Sequence, residues 1–250
     1  MKMSKYLAVL ILVLATFSCA SNWQVVEASS AKIPIDSTTD RIADKEYVTY
    51  LQPVTTQINE ELNVVIGQAA ETMATSRPES LLSNLASEVL RDAATKHIGQ
   101  PVDIAIMNMG GLRTQINKGD ITLRKIFELM PFENELVVLW LKGDVLQKVI
   151  EEIAAVGGQG ETGIRMTIKD HKPQDVTING KPLDINEIYT IATNDFMAGG
   201  NDKLEHLAAY EKRENTGLTI RSVFIEAVKA ITESGKKVEA KLDGRISVEN

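Results

Sequence analysis

With 34 acidic against 27 basic residues in a chain of 250, the formal net charge is −7, which excludes the continuous basic groove that a nucleic acid needs. The hydrophobic fraction of 44% is enough for one sizeable core or two small ones, and a single cysteine, Cys19, excludes a disulfide framework. An acidic surface does not exclude a nucleotide pocket, because two well-placed arginines suffice locally.

The chain opens with Lys2 and Lys5, an apolar stretch from Tyr6 to Ala15, and Thr16-Phe-Ser-Cys19. The apolar stretch is far shorter than the ~20 residues that cross a bilayer, so residues 1–18 are expected to be a secretion signal. Ser18-Cys19 resembles a bacterial lipobox in a loose form, with Phe17 bulky, and implies cleavage before Cys19 and lipidation of that residue. The alternative is a plain signal peptide cut a few residues later. Cleavage at Cys19 leaves 232 residues and, with Lys2 and Lys5 gone, a net charge of −9.

Residues 19–44 are rich in Ser, Thr, Asp and Ala without a period that buries a face, the composition of a tether. The folded domain is expected over 45–250. From Asp44 to Leu62 the spacing allows either a helix or an extended docking segment, and Asn63 to Met73 reads as a strand. Ser76 or Ser80 caps a helix that puts Leu81, Leu85, Val89 and Leu90 on one face and ends near Gly99. Val102 to Met107 is an interior strand, apolar on both faces apart from Asp103.

A helix is expected from about Thr122, then a second apolar run and a second helix up to about Glu152. Gly157-Gly-Gln-Gly160 reads as a loop and Thr162 to Ile168 as one half-buried strand. Val176 to Pro182 carries a strand into an Asn-Gly hairpin turn. Ile188 to Ala192 is a strand, Leu204 to Tyr210 a short helix, Ile220 to Glu233 a longer one, and Leu242 to Val248 a turn and closing strand. Helices and strands mixed in this way imply an α+β or α/β domain.

Three motifs carry a family resemblance. Asn108-Met-Gly-Gly-Leu-Arg113 resembles the NGGGIR signature of the C-terminal domain of 5'-nucleotidases. Pro131-Phe-Glu-Asn134 with the following apolar run resembles the PFGN segment of that family, and Thr193-Asn-Asp-Phe-Met-Ala-Gly-Gly-Asn-Asp202 its TNDFLANGGDG loop. The three stand in the family's order, and the resemblance covers roughly 63–248. It implies an α/β/β/α layered fold of the α+β class, with mixed sheets and flanking helices.

A mononucleotide presents a flat base, a ribose diol and an anionic phosphate, and its site wants planar apolar faces, a hydroxyl acceptor and guanidinium or amide donors. By resemblance Phe132 and Phe196, two of only five phenylalanines, sandwich the base. Asn134 and Asn108 orient the base or its neighbours, Asp202 holds the ribose hydroxyls, and Arg113 meets the phosphate or sugar. Gly163 resembles a family glycine whose backbone lies beside the ligand, and Arg77 an arginine aimed at the pocket, although it lies two residues before Glu79 where many members have three. Read without the family, each phenylalanine is a core or loop-plugging residue, Arg113 a surface ion pair and Asp202 a loop cap. In Gly199-Gly-Asn-Asp202 the glycines come one place early, so Asn201 is expected to take the left-handed position.

Complete family members hydrolyse phosphate esters at a two-metal centre in a separate N-terminal domain, built from D-x-H, G-D, N-H-E and G-H-x-H segments. The three histidines here, His97, His171 and His206, stand in no such motif, and Asp170-His171 reads as a turn. No catalytic residue, bound metal or cofactor is assigned to this sequence. The resemblance implies a nucleotide- or nucleoside-binding domain of a bacterial lipoprotein, periplasmic or on the cell surface, held to the membrane by an N-terminal lipid. Divalent metals are expected on a partner metallophosphoesterase, and nucleic acid is not a partner. Two alternatives are a stand-alone nucleotide- or nucleoside-binding lipoprotein without hydrolysis, and a surface lipoprotein that keeps the fold without the pocket.

Overall fold

The computed structural model describes residues 24–25, 27–34, 36–39 and 43–249. Cys19 and residues 1–18, where the signal and the lipid site are expected, lie outside the described residues. The chain divides into two units, Met1–Leu51 and Gln52–Asn250. In the first, residues 27–34 carry no helix or strand, and Asp36 caps a turn by accepting from the Thr38 amide at 2.8 Å. Helix α1 (Lys45–Leu62) resolves the choice left open for this stretch: Asp44 accepts from the amides of Glu46 and Tyr47, the bonds of an N-cap.

The second unit is organised by a five-stranded mixed sheet. Its order is β10 (Lys212–Thr219), β4 (Glu135–Lys142), β9 (Ile188–Asn194), β2 (Ile104–Met107) and β5 (Gly160–Thr162). Only the β9–β2 pair is parallel. The sheet is covered on both faces, which is why β2 and β4 read as unbroken apolar runs. Along β4, Leu136 and Val138 enter one hydrophobic cluster while Val137, Leu139 and Leu141 enter another.

The first cluster is closed by α2 (Leu81–Ile98), α3 (Leu123–Leu129) and α6 (Ile220–Glu233), together with the two-stranded sheet β1 (Val65–Ala69) and β3 (Gly119–Thr122). Helix α2 begins at Ser80, whose hydroxyl accepts from the Ser83 amide, and ends at Gly99 in the left-handed region. It buries the expected Leu85, Val89 and Leu90 together with Leu82 and Ala86, while Leu81 packs partly buried against the same cluster. Each such aliphatic side chain contributes roughly 1.5–3 kcal/mol on burial.

The second cluster joins the opposite face of the central sheet to α4 (Gly143–Ala155) and to a four-stranded sheet, β11 (Ile246–Glu249), β6 (Ile164–Lys169), β7 (Lys172–Ile178) and β8 (Lys181–Pro182). Leu146, Val149, Ile150, Ile153 and Ala154 line the buried stripe of α4 at helical spacing. Both hairpin turns of this sheet have two residues at positive φ, Asp170-His171 and Asn179-Gly180, the geometry that matches strand twist. The fold is α+β with mixed sheets and flanking helices.

One expected strand is two. The run from Thr162 to Ile168 breaks at Gly163, where φ is +90°, so that Gly160–Thr162 stays in the central sheet and Ile164–Lys169 enters the second.

Candidate functional site

At the carboxyl end of β2 the chain leaves the sheet through Asn108 and a 3-10 turn, Met109–Gly111. The close approach there requires Gly111, since a Cβ on it would stand 2.9 Å from Asn108 Oδ1, while a Cβ on Gly110 would face open space, with nothing nearer than 4.0 Å. Asn108 is buried, and its Oδ1 accepts from Asn194 Nδ2 at 2.9 Å. Asn194 Oδ1 in turn accepts from the Met197 amide at 2.8 Å and so caps α5 (Asp195–Ala198). The pair ties the turn after β2 to the helical turn that presents Phe196.

Phe132 and Phe196 are 51% and 43% exposed, too open for core residues. They follow from one pairing: Leu136 of β4 stands opposite Asn194 of β9, so Phe132 precedes and Phe196 follows at the same end of the ladder. Asp195 locks the two loops together, its Oδ1 accepting from Asn134 Nδ2 at 3.0 Å, the Glu135 amide at 3.2 Å and the Phe196 amide at 2.9 Å. Buried Arg221 holds the Phe132 loop from below, donating to Met130 O at 3.1 Å and pairing with Glu133. Arg113 is exposed, donates to Gly110 O at 3.2 Å, and has its guanidinium carbon 6.0 Å from the Phe132 ring centroid.

Asp202 joins the same group through Gln159, whose Nε2 donates to Asp202 Oδ2 at 3.4 Å and whose Oε1 accepts from the Met109 amide at 3.1 Å. Gln159 N donates to Glu161 Oε1 at 2.5 Å. Burial pushes the Glu161 carboxyl up to about 8, against the pull of the Gln159 amide and of the Arg77 and Arg245 guanidiniums. Arg77 is exposed and lies beside the loop before Gln159, its Cδ 3.8 Å from where a Cβ on Gly157 would be.

Seven of the eight predicted ligand residues, Arg77, Asn108, Arg113, Phe132, Asn134, Phe196 and Asp202, therefore adjoin one connected cluster. Gly163 does not. A Cβ there would meet Asp103 O at 2.1 Å, at the amino end of β2, which is ~13 Å along the strand from Asn108. Its backbone conformation serves the step between two sheets. Asn201 does not take the left-handed position either: Gly200, Asp202 and Lys203 do, at φ of 78°, 58° and 65°, and Asn201 Nδ2 donates to Phe196 O at 2.8 Å. A cavity of about 750 Å³ lies elsewhere, between α4 and β7–β8, lined by none of the predicted residues.

The family model for the C-terminal domain of 5'-nucleotidase matches residues 65–209, more than half of the chain. The chain belongs to the 5'-nucleotidase C-terminal domain family. It is 34% identical over 159 residues to the trifunctional nucleotide phosphoesterase protein YfkN of Bacillus subtilis, covering 57% of this chain and 11% of that one. Protein UshA of Yersinia enterocolitica is 30% identical over 196 residues, covering 73% of this chain and 35% of its own length. The crystal structure of a 5'-nucleotidase precursor from Thermus thermophilus superposes with a TM-score of 0.71 at 29% identity, over 84% of this chain and 44% of that one. The chain thus spans about a third or less of the curated relatives it is compared with, and under half of the solved structure.

Within this family domain the residues that the motifs alone leave out are Asn194, Asp195 and Gln159. The first two stand inside the Thr193 to Asp202 motif, but their roles depend on strand pairing. Gln159 sits between glycines that read as a plain loop.

Proposed function

We propose that this domain binds a nucleotide or nucleoside, with the base on Phe132 and Phe196, the ribose at Asp202 and the anionic end toward Arg113 and Arg77. The carrying observation is the pair of half-exposed phenylalanines on two loops joined by Asp195. Two half-exposed rings on fastened loops are free to stack on a base, and such stacking is worth roughly 1–3 kcal/mol. Relatives named as nucleotide phosphoesterase and 5'-nucleotidase support the choice of ligand. In this reading the domain supplies substrate recognition, and phosphate-ester hydrolysis takes place on a metallophosphoesterase chain that carries the divalent metals. Cys19 carries the lipid that holds the domain at the periplasmic or cell-surface side of a bacterial membrane.

Isothermal titration of the full chain with AMP, adenosine and a UDP-sugar, with phosphate release followed in Mn²⁺ or Zn²⁺, tests the reading. Binding without release is the expected result. Release by the pure chain would place a catalytic centre on it, and absence of binding by any of the three would remove the proposed site.

A further inference from the structure

Gln159 is 1% exposed, and its side-chain oxygen, side-chain nitrogen and backbone amide each have a partner. The Met109 amide needs an acceptor, so the carboxamide oxygen turns toward it at 3.1 Å, and the NH₂ group is left with one direction, toward Asp202 Oδ2 at 3.4 Å. The backbone of Gln159 is fixed as well, because its amide donates to the buried Glu161 carboxyl at 2.5 Å. A Gln side chain anchored at three points has one orientation.

Asp202 needs such an anchor. It sits at φ +58° and is followed by Lys203 at φ +65°, a left-handed pair in an exposed loop, and nothing else in the described hydrogen-bond pattern holds its carboxylate. With Oδ2 engaged by Gln159, Oδ1 has no partner among the described residues. A carboxylate whose plane is already held loses less freedom when it accepts from the hydroxyls of a vicinal diol, and so binds them more tightly than one free to turn.

We propose that Gln159 is a positioning residue that makes the site selective for ribonucleosides over 2'-deoxyribonucleosides, by holding the Asp202 carboxylate toward the ribose diol. The proposal rests on the reading that Asp202 meets the ribose. It adds a residue that touches no ligand and a discrimination that the motifs do not contain.

Titration of the full chain with adenosine and with 2'-deoxyadenosine is the test, repeated on Gln159→Met, which keeps the length and apolar bulk but cannot donate. The native chain is expected to prefer adenosine by about 10-fold, the scale of one charge-assisted hydrogen bond, and the variant to lose that preference through weaker adenosine binding alone. If Gln159→Met does not fold, Gln159→Glu keeps the acceptor for Met109. Its preference should fall as pH rises from 5 to 8.5 and the new carboxyl loses its proton, while that of the native chain falls less. Equal weakening of both nucleosides, or a preference unchanged in the variants, would overturn the role of Gln159 while leaving the base platform intact. Absence of any preference for adenosine in the native chain would overturn this inference alone, whereas failure of the native chain to bind adenosine, AMP and a UDP-sugar alike would remove the nucleotide site itself.

Discussion

At its carboxyl end, strand β2 opens onto a surface where two phenylalanines stand half in solvent and side-chain hydrogen bonds hold the loops that carry them. At its amino end the same strand packs backbone on backbone, with Gly163 against Asp103 and, nearby, the buried Arg245. The residue is 7% exposed, and its guanidinium is held by Glu161 O at 2.9 Å, Thr162 Oγ1 at 2.8 Å, Glu88 Oε1 at 2.6 Å and Asp243 Oδ2 at 3.0 Å. Both ends are polar and glycine-bearing, and a motif scan does not separate them. Exposure does: at the carboxyl end two aromatic rings stand open to solvent, whereas at the amino end the Arg245 guanidinium is enclosed by the groups it satisfies.

The comparison is broken most severely at the packed end. Gly163→Ala adds a Cβ where Asp103 O stands at 2.1 Å, at a φ of +90° that side chains disfavour. It is expected to cost about 5 kcal/mol, a fall of ~10 °C or more in the melting temperature. Arg245→Ala leaves Glu88, Thr162 Oγ1 and the Glu161 carbonyl without the guanidinium and is expected to cost about 4 kcal/mol in urea denaturation. A melting temperature within ~2 °C of native for either variant would show that this end is looser than its contacts imply.

Glu161 links the two ends and gives a pH test. Its carboxyl is raised from 4.5 to about 8 in the folded protein, so between these values the native state holds a proton that the unfolded chain has lost. Stability from this group is therefore undiminished below pH ~4.5, declines as pH rises, and reaches its full penalty above ~8. Glu161→Gln removes the titration, so the variant should gain about 4 kcal/mol on the native chain between pH 5 and 9. Parallel stability curves for the two proteins would show that the carboxyl is ionised throughout.

The smallest effect on folding is expected at the open end. Phe132→Ala and Phe196→Ala remove rings that are already 51% and 43% exposed, so each should cost under ~1 kcal/mol of stability. Each should weaken AMP binding by roughly 1–3 kcal/mol in titration calorimetry. A large loss of stability with unchanged binding would make these rings packing residues instead.

Local pattern carried much of this molecule. Helix α6 covers the expected Ile220–Glu233, Ser80 caps α2 as one of two candidates, and Thr122 caps α3 where a helix start was expected. The strands that escaped notice are β3, β5 and β10. Strand β10, Lys212–Thr219, is largely polar because it lies at a sheet edge, where only β4 pairs with it and no alternating apolar face is needed. Strand β5 is the three residues Gly160–Thr162, too short for a period to show.

The sequence by itself determined helices α2, α3, α4 and α6, the two-faced apolar strands, the hairpin turns and the three motifs, because these depend on residues a few positions apart. Only the tertiary structure decided that Gly163 stands at the corner between two sheets, that Asp195 fastens Asn134 across 61 positions, and that Gln159 reaches Asp202 across 43. Hydrogen bonds of that span leave no periodic trace along the chain. They exist because β4, β9, β2 and β5 lie side by side, and that adjacency is set by burying both faces of one sheet at once.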